Sequence, residues 1–303
     1  MIQSHSAPLP WLEQPWQQWL SQFQQQRLAH ALLIQGSQGC GKTQLAAQMV
    51  QTLLCQHGSG CGHCKSCQLL ASDNHPDKIE LLPEGNQHKV DSVRALIGQL
   101  ESTAHQGGAR VVVIHQAERL NVAAANALLK TLEEPMPNVY LLLLSNQAGQ
   151  LLATITSRCQ RLLISEPNAA QYRHFLGDAA METLQEWPYW SALLGGPLAI
   201  KQALAENQIP QLQLWRQWWR TSIKSGIVTA DLAAIEAELA PLALKVLYFE
   251  LLFIGRSQPQ WFAKHYCAVQ SVSQKISWMQ RQSGINLTAV YQQLIVQIRQ
   301  RVS

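Results

Sequence analysis

Residues 36–43 read Gly-Ser-Gln-Gly-Cys-Gly-Lys-Thr, a complete phosphate-binding loop of the Gly-x4-Gly-Lys-Thr form. A short apolar run over residues 31–34 comes before the loop, and residues 44–54 after it show helical spacing of apolar side chains. In the order strand, glycine loop and helix, backbone N–H groups cup phosphate oxygens, and the helix contributes its positive N-terminal end. The loop therefore predicts an α/β domain that binds a nucleotide.

The residues of the loop have separate expected roles. Gly36 stops the apolar run and opens the loop, and Gly39 and Gly41 let the backbone bend and come close to phosphates. Lys42 is expected to reach the β- and γ-phosphates of ATP or ADP, and Thr43 to ligate Mg²⁺. The alternative is a relic loop that keeps this shape and binds nothing.

The strand that should complete an ATPase lacks its acidic residues. It runs over residues 111–114 and ends at His115 and Gln116. An ATP-hydrolysing chain needs an Asp to hold Mg²⁺ and a Glu to activate water at this point, and an imidazole and an amide do not replace them. Glu118, two residues further on, is the alternative source of a carboxylate. The chain is therefore expected to hold a nucleotide without hydrolysing it.

Short apolar segments alternate with helix-like segments through the first half of the chain. Such alternation predicts a parallel sheet that helices cover on both faces. The expected strands are 31–34, 78–82, 110–115, 139–145 and 161–164, and the expected helices are 44–54, 90–100, 123–134 and 151–155.

The pattern changes after Pro167, where strand-like runs largely vanish and Ala, Leu, Gln and Trp dominate. Gly-Gly-Pro at residues 195–197 marks a helix boundary, and helical spacing then continues almost to the end. Trp215, Trp218 and Trp219 stand at i, i+3 and i+4, where core packing is the expected role and a subunit interface is the alternative. The second half is therefore expected to be all-helical.

Four of the seven cysteines cluster in one short segment, namely Cys55, Cys61, Cys64 and Cys67. Two consecutive Cys-x2-Cys steps plus an upstream thiol match a closed, tetrahedral Zn²⁺ site with a structural role. The alternatives are a redox-active Cys-x2-Cys pair, an iron–sulfur cluster, and replacement of a thiol ligand by His57 or His63. The isolated Cys40, Cys159 and Cys267 are expected to be small buried hydrophobic residues.

Composition bounds the compartment and the ligands. The 303 residues are 47% hydrophobic, which is enough for two or three packed domains. The formal net charge is +4 and neither half is strongly basic, so nothing in the charge pattern demands nucleic acid as a direct ligand. The chain has no signal-peptide pattern, and its apolar runs are too short to cross a bilayer. A cytoplasmic protein with reduced thiols and no membrane contact is expected.

Four motifs occur in one order: the glycine loop, the cysteine cluster, Ala-Ala-Ala-Asn-Ala-Leu-Leu-Lys-Thr-Leu-Glu-Glu-Pro at residues 123–135, and Ser-Arg-Cys at residues 157–159. In this combination the chain closely resembles the bacterial clamp-loader subunits of the AAA+ ATPase superfamily, well over residues 25–165 and in outline beyond. In that family the motor subunits, gamma and tau, keep an acidic strand end and an Arg after the Gly-x-Pro of the lid helix. Leu198 stands at that Arg position. The resemblance therefore implies a subunit that supports the motors.

The resemblance also implies an architecture and partners. The expected domains are an AAA+ phosphate-loop (RecA-like) domain over residues 1–165 with an inserted zinc module at about 55–67, a helical lid over 166–207 and a helical collar over 208–303. Arg158 would be donated in trans, as an arginine finger, to the ATP of a neighbouring motor subunit. The implied partners are gamma or tau and delta subunits in a hetero-pentamer, which loads the sliding clamp (beta) onto primed DNA.

Three functions are open at this point. The leading one is a non-catalytic subunit of the DNA polymerase III clamp loader, and so a part of the DNA-directed DNA polymerase holoenzyme. The second is an active clamp-loader ATPase, which the intact loop favours. The third is a zinc-dependent nucleic-acid-binding module, which the cysteines favour and the modest charge opposes. An ATPase assay of the chain alone and a salt-dependent DNA titration separate them.

Overall fold

The computed structural model describes residues 9–100, 103–106, 108–279 and 285–299 of the chain. The chain divides into two compact units, with the boundary between Gly177 and Asp178. Within the described ranges, the strands all belong to the first unit, and the second is built from helices. None of the helices in these ranges combines the length and the apolar character that crossing a bilayer requires.

The first unit is organised around a sheet of five parallel strands. They are β1 (Ala31–Gln35), β2 (Lys78–Leu81), β3 (Arg110–Ile114), β4 (Val139–Ser145) and β5 (Gln160–Leu163). Their order across the sheet is β2-β3-β4-β1-β5. Ala31 pairs with Leu141 on one side of β1, and Leu32 pairs with Gln160 on the other. The strands β1 and β3 are buried along their whole length, which explains their continuous apolar sequence.

Helices link the strands, as parallel pairing requires. In the first unit they are α1 (Glu13–Gln24), α2 (Lys42–Leu54), α3 (Lys65–Ala71), α4 (Val90–Leu100), α5 (Val122–Glu133), α6 (Ala153–Thr156) and α7 (Ala169–Leu176), with short 3-10 turns at Pro10–Leu12, Ala117–Arg119 and Ala148–Gln150. Val93 of α4 and Leu128 of α5 share a core with Leu141 of β4. Asn121 caps α5, because its side chain accepts a hydrogen bond from the N–H of Ala124 at 2.8 Å.

The second unit is helical throughout its described part. Its helices are α8 (Asp178–Leu184), α9 (Trp190–Leu194), α10 (Pro197–Ala205), α11 (Ile209–Ser225), α12 (Ala230–Ala233), α13 (Ala240–Ser257), α14 (Pro259–Met279) and α15 (Leu287–Arg299). The indole of Trp219 donates to the carbonyl of Ala243 at 2.9 Å and meets the Tyr291 ring edge-on, with centroids 5.0 Å apart. Trp215 and Trp219 are buried and Trp218 is half-buried, so the predicted core role of this aromatic stripe is confirmed.

A charged group lies inside the second unit. Glu250 of α13 is fully buried and accepts hydrogen bonds from Nε of Arg216 at 2.9 Å and Nε of Arg220 at 2.6 Å, both on α11. The guanidinium of Arg216 also lies 4.4 Å from the ring centroid of Trp187. Removing one partner of a buried ion pair leaves an uncompensated charge, which is strongly destabilising. Glu250 therefore fixes α11 against α13.

The observed fold confirms the predicted class, a parallel α/β unit followed by a helical one. The strand expected at 110–115 is β3, one residue shorter at its end, and the helix expected at 90–100 coincides with α4. The helix expected at 151–155 is the single turn α6, Ala153–Thr156. The finer division into three domains stays a prediction.

Candidate nucleotide loop and metal centre

The phosphate-binding loop joins the end of β1 to the start of α2. Gly39 and Gly41 have positive φ angles of 66° and 94°, a backbone conformation that glycine adopts without strain. A Cβ atom on Gly36 would lie 2.8 Å from the sulfur of Cys40. The three predicted glycines are therefore required by the shape of the loop. Thr43, in the first turn of α2, is exposed.

Lys42 turns back onto the backbone of its own loop. Its Nζ donates to the carbonyl oxygens of Gly36 at 2.9 Å and Ser37 at 2.7 Å, and the residue is only 7% exposed. Burial lowers the pKa of this ammonium, and the charges of Cys40 and Glu118 act in the opposite direction. To contact a phosphate, Lys42 has to exchange these two carbonyl oxygens for phosphate oxygens.

An N-terminal segment packs directly on the loop. Trp11 donates from its indole nitrogen to the carbonyl of Cys40 at 2.7 Å. A Cβ on Gly41 would lie 2.5 Å from a methyl carbon of Leu9 and 3.0 Å from one of Leu12. Leu9, Trp11 and Leu12 are all buried, so the loop is held from one side by apolar side chains. The sequence reasoning did not identify this contact, although the apolar cluster around Pro10 was its visible signal.

His115 and Gln116 directly follow β3, at the two positions where an ATPase was expected to have carboxylates. The Nε2 atom of His115 lies 3.8 Å from the carboxylate of Glu80, and its backbone carbonyl accepts a hydrogen bond from Nε2 of His88 at 2.7 Å. Gln116 has a left-handed backbone, with φ of 48°, and starts the turn at Ala117. Neither His115 nor Gln116 supplies a carboxylate for Mg²⁺ or for an attacking water.

The carboxylate of Glu118 is held next to the end of β4. It accepts hydrogen bonds from the backbone N–H of Asn146 at 3.2 Å and from the Nδ2 of Asn146 at 3.0 Å. Burial lowers the pKa of Lys42, and the charge of Glu118 opposes this shift only as a minor contribution. Asn146 was missed in the sequence, where its signal was a polar residue directly after a buried apolar strand.

The four clustered cysteines come together at one point. Their sulfurs all lie within 4.8 Å of one another, with separations of 3.6 Å for Cys55–Cys61, 3.9 Å for Cys55–Cys64 and 4.0 Å for Cys61–Cys67. Tetrahedral ligation at about 2.3 Å sets sulfur–sulfur distances of about 3.8 Å, whereas a disulfide requires about 2.05 Å. The four thiols are free of disulfides and can bind one metal ion.

Backbone N–H groups point at these sulfurs. The N–H of Cys61 donates to Cys55 Sγ at 3.4 Å, that of Cys64 to Cys61 Sγ at 3.4 Å, and that of Cys67 to Cys64 Sγ at 3.5 Å. Burial would raise the pKa of the Cys55 thiol, but backbone donors, Cys61 and Ser59 among them, outweigh it and lower this pKa to about 5. Such donors favour the thiolate, which is the form that binds metal.

The other three cysteines differ in their exposure to solvent. Cys40 and Cys159 are buried, as predicted. Burial raises the pKa of Cys159 to about 11, as expected for an inert thiol. The prediction was wrong for Cys267, which lies on an exposed face of α14, because it occupies a helical position outside the core-facing stripe.

A buried hydrogen-bond network anchors the cysteine segment. Ser66 of α3 donates to the carbonyl of Leu54, at the end of α2, at 2.5 Å, and its hydroxyl lies 2.7 Å from Nε2 of His75. Nδ1 of His75 accepts from the backbone N–H of Asp77 at 3.1 Å, so Nε2 must carry the ring proton and donate to Ser66. The carboxylate of Asp77 accepts from the N–H of His105 at 2.8 Å. No sequence motif predicted this hydrogen-bond network.

Arg158 lies between α6 and β5 and is paired within its own chain. Its guanidinium contacts the carboxylate of Glu133 at 2.5 Å and donates to the carbonyl of Thr154 at 3.0 Å. The Arg158 side chain is 35% exposed and that of Glu133 is 49% exposed. The arginine is therefore available at the surface of the unit and is not bound into the core.

Arg158 and the phosphate-binding loop of the same chain are far apart along the strand direction of the sheet. Arg158 precedes the first residue of β5, Gln160, which pairs with Leu32 of β1. The loop begins beyond the opposite end of β1, at Gly36. Because a parallel strand rises about 3.3 Å per residue, the two levels are roughly 13 Å apart. The phosphate-binding loop and Arg158 thus lie at opposite ends of two neighbouring parallel strands, the loop after the carboxyl end of β1 and Arg158 before the amino end of β5.

A family model described as "DNA polymerase III, delta subunit" matches residues 11–168. That range contains the phosphate-binding loop, the cysteine cluster and Arg158. A relative from Pseudomonas aeruginosa, "DNA polymerase III subunit delta'", is 43% identical over 201 residues, which are 63% of this chain and 60% of the relative. A protein of the same name from Haemophilus influenzae is 39% identical over 219 residues, which are 71% of this chain and 67% of the relative.

Among solved structures, a gamma subunit-related protein of DNA polymerase III from Thermotoga maritima superposes with a TM-score of 0.53. It is 16% identical in sequence, and the superposition covers 94% of this chain and 98% of that one. At this identity the likeness concerns the fold, and it extends through both units.

Proposed function

The chain belongs to the DNA polymerase III delta subunit family, and from that premise we propose that it is a non-catalytic subunit of the clamp loader. In this role it is a stator that does not hydrolyse ATP and that donates Arg158 to ATP bound by a neighbouring motor subunit. The complex would open the sliding clamp and load it onto primed DNA.

The position of Arg158 is the observation that carries this proposal. Arg158 precedes β5, whose first residue already lies roughly 13 Å along the strand direction from the level of the loop, so it is poorly placed to act on a nucleotide in the same chain. A guanidinium has a fixed charge and forked donors that stabilise the charge on a transferring phosphoryl group. Its pairing with the half-exposed Glu133 does not oppose donation, since surface ion pairs contribute only about 0–1 kcal/mol.

The phosphate-binding loop is proposed to bind ATP or ADP with Mg²⁺. The left-handed glycines, the buried Lys42 and the exposed Thr43 support this, because they are the groups that hold phosphates and ligate the metal. Hydrolysis is not expected, since His115 and Gln116 follow β3 where two carboxylates are needed.

The four-cysteine cluster is proposed to hold a structural Zn²⁺. The sulfur–sulfur separations of 3.6–4.0 Å fit tetrahedral thiolate ligation, and all four positions would be filled by protein. Bound zinc would fix the loop of residues 55–64 onto α3 and contribute folding free energy to this segment.

The proposed assembly follows from the same premise. Residues 1–165 would be the AAA+ domain, the helices of residues 166–207 the lid, and the helices of residues 208–303 the collar that joins gamma or tau and delta subunits in a hetero-pentamer. Contact with the sliding clamp and with primed DNA would be made through the complex, in the cytoplasm. An active motor subunit is the second candidate, which the intact loop and the nearby Glu118 favour.

The test is a clamp loader reconstituted with substituted versions of this chain. Arg158→Ala should assemble normally but reduce DNA- and clamp-stimulated ATP hydrolysis, and clamp loading with it. The defect should be partial, because one finger among several is lost. Arg158→Lys should not restore the rate, since an ammonium cannot make the forked contact.

Arg161→Ala is the matched control, because Arg161 is an exposed arginine three residues away on β5. It should leave hydrolysis and loading unchanged. If the complex with Arg158→Ala hydrolyses ATP and loads clamps at the wild-type rate, Arg158 is an ordinary surface charge and the stator proposal loses its support.

A further inference from the structure

A second group of metal-binding side chains lies on the outer side of the cysteine cluster. His57, Cys61 and His63 each offer one ligand atom, and these three atoms all lie within 4.8 Å of one another. Both histidines are exposed and Cys61 is partly exposed, whereas the other three cysteines of the cluster are buried. Cys61 therefore belongs to both groups, and it is the most exposed thiol of the cluster.

The ring of His63 makes a hydrogen bond of the kind that metal-ligating histidines usually make. Its Nδ1 lies 2.9 Å from the carbonyl oxygen of Cys61. A carbonyl only accepts hydrogen bonds, so Nδ1 carries the proton and Nε2 keeps a free lone pair. Donation of the second ring nitrogen to a backbone carbonyl is the arrangement that fixes the tautomer of a ligating imidazole. The ring of His57 lies alongside, with centroids 6.0 Å apart.

The geometry of the group requires little adjustment to hold an ion. With metal–nitrogen distances of about 2.0–2.1 Å and a metal–sulfur distance of about 2.3 Å, tetrahedral ligands stand about 3.6 Å apart. Two exposed imidazoles can close the remaining gap by rotating their side chains. Two nitrogens and one sulfur suit Zn²⁺ and Co²⁺, and water would complete the coordination.

We propose that His57, Cys61 and His63 form a surface capture site, at which an incoming Zn²⁺ ion is first bound before it passes to the four-thiolate centre. The proposal rests on the proposed zinc centre, whose three buried thiols need a route by which the ion reaches them. Cys61 provides that route, because it is a ligand of both sites and need not release the ion during transfer.

The transfer is a ligand exchange without oxidation or reduction. Hydrated Zn²⁺ loses water molecules and binds the two imidazole nitrogens and the sulfur of Cys61, whose thiol proton goes to solvent. The sulfurs of Cys55, Cys64 and Cys67 then replace the two imidazoles and the last water. Any of these thiols still protonated releases its proton to solvent, and the histidines are left neutral and free.

The test is the rate of zinc uptake by metal-free, reduced full-length chain. Zinc is supplied from a chromophoric chelator, whose colour change follows the transfer, and Co²⁺ serves as a second probe through its thiolate absorption. The double variant His57→Ala/His63→Ala should reach the wild-type final content of one ion per chain, but roughly tenfold more slowly, at the low end of the effects of removing groups around a metal site. His174→Ala, at an exposed histidine of α7, should take up zinc at the wild-type rate.

The possible results separate the two proposals. Equal uptake rates in the double variant and the wild type would overturn the capture site and leave the zinc centre standing. A lower final zinc content in the double variant would also overturn it, because the histidines would then be ligands of the structural centre. If the wild type takes up no zinc, the zinc centre itself fails and the capture site fails with it.

Discussion

His88 lies in the interior of the first unit with only one of its ring nitrogens satisfied. Its Nε2 donates to the carbonyl of His115 at 2.7 Å, the residue is 1% exposed, and Nδ1 has no hydrogen-bond partner within the described part of the chain. Protonation would therefore place a proton on a buried nitrogen that has no acceptor for it within the described part of the chain. Burial accordingly lowers the pKa of His88 from its usual 6.5.

We expect this histidine to make folding sensitive to mild acid. As the pH falls through about 6.5, the unfolded chain gains a proton at His88, whereas the folded chain resists until the lowered pKa is reached. The stability contributed by the neutral ring is thus present above pH 6.5 and is lost as the pH falls through the folded pKa. His88→Gln, which keeps an amide donor, should flatten this dependence by up to about 1.4 kcal/mol per pH unit.

Urea unfolding between pH 5 and 7 measures the effect. His174→Gln, at an exposed histidine, should keep the wild-type pH dependence. The same pH dependence in His88→Gln and in the wild type would show that this ring is not the titrating group.

At the scale of elements, the cysteine segment has two independent attachments to the first unit. One is the four-sulfur centre, and the other is the buried chain of hydrogen bonds from Leu54 through Ser66 and His75 to Asp77. The second attachment uses no metal ligand. Loss of the metal should therefore remove the four-sulfur attachment, while the N–H···S hydrogen bonds of the loop remain and α3 stays docked.

Cys64→Ser tests this division. The variant should lose its zinc, which the wild type should hold at about one ion per chain. Trypsin should then cut faster after Lys65, because the metal no longer holds the neighbouring residue 64, although a serine hydroxyl can still cap the start of α3. Cys267→Ser, at an exposed and isolated thiol, should alter neither zinc content nor cleavage. Wild-type protein that contains no zinc while its thiols are reduced would contradict the prediction.

The elements were largely predictable from the sequence, and the contacts between distant elements were not. The bounds of β3 and β4 were predicted to within one residue, because a strand buried on both faces has a continuous apolar sequence that is visible locally. The glycine loop and the cysteine spacing are also local. By contrast, Trp11 over Cys40, Glu118 against Asn146, and Ser66 against His75 depend on how the chain folds back on itself. No spacing rule connects such pairs.

At the scale of the whole molecule, the chain is expected to bind nucleotide without turning it over. ATP or ADP should bind measurably to the isolated protein. Lys42→Ala should weaken binding by roughly tenfold to a hundredfold, since a hydrogen bond to a charged group contributes about 1.5–3 kcal/mol. Lys264→Ala, at an exposed lysine of α14, is the control.

Phosphate release by the isolated chain should stay at background in wild type and variant alike. Robust hydrolysis that disappears with Lys42→Ala would instead identify a motor subunit. In that case Glu118 would be the first candidate for the missing carboxylate, because it follows β3 by four residues and its carboxylate is held beside Asn146 at the end of β4.

The placement of the phosphate-binding loop and Arg158 at opposite strand ends has a consequence for how subunits with this fold can be arranged in space. If Arg158 is donated as proposed, a subunit with the arginine at one end of its strands and the phosphate loop at the other would make unequal contacts with its two neighbours. Such contacts repeat in one direction only, and a two-fold pairing cannot satisfy them. A member that gives an arginine but cleaves nothing needs a recipient on one side and no donor on the other. If the proposed function holds, such a member fits the end of an open series of subunits and not a position inside a closed ring.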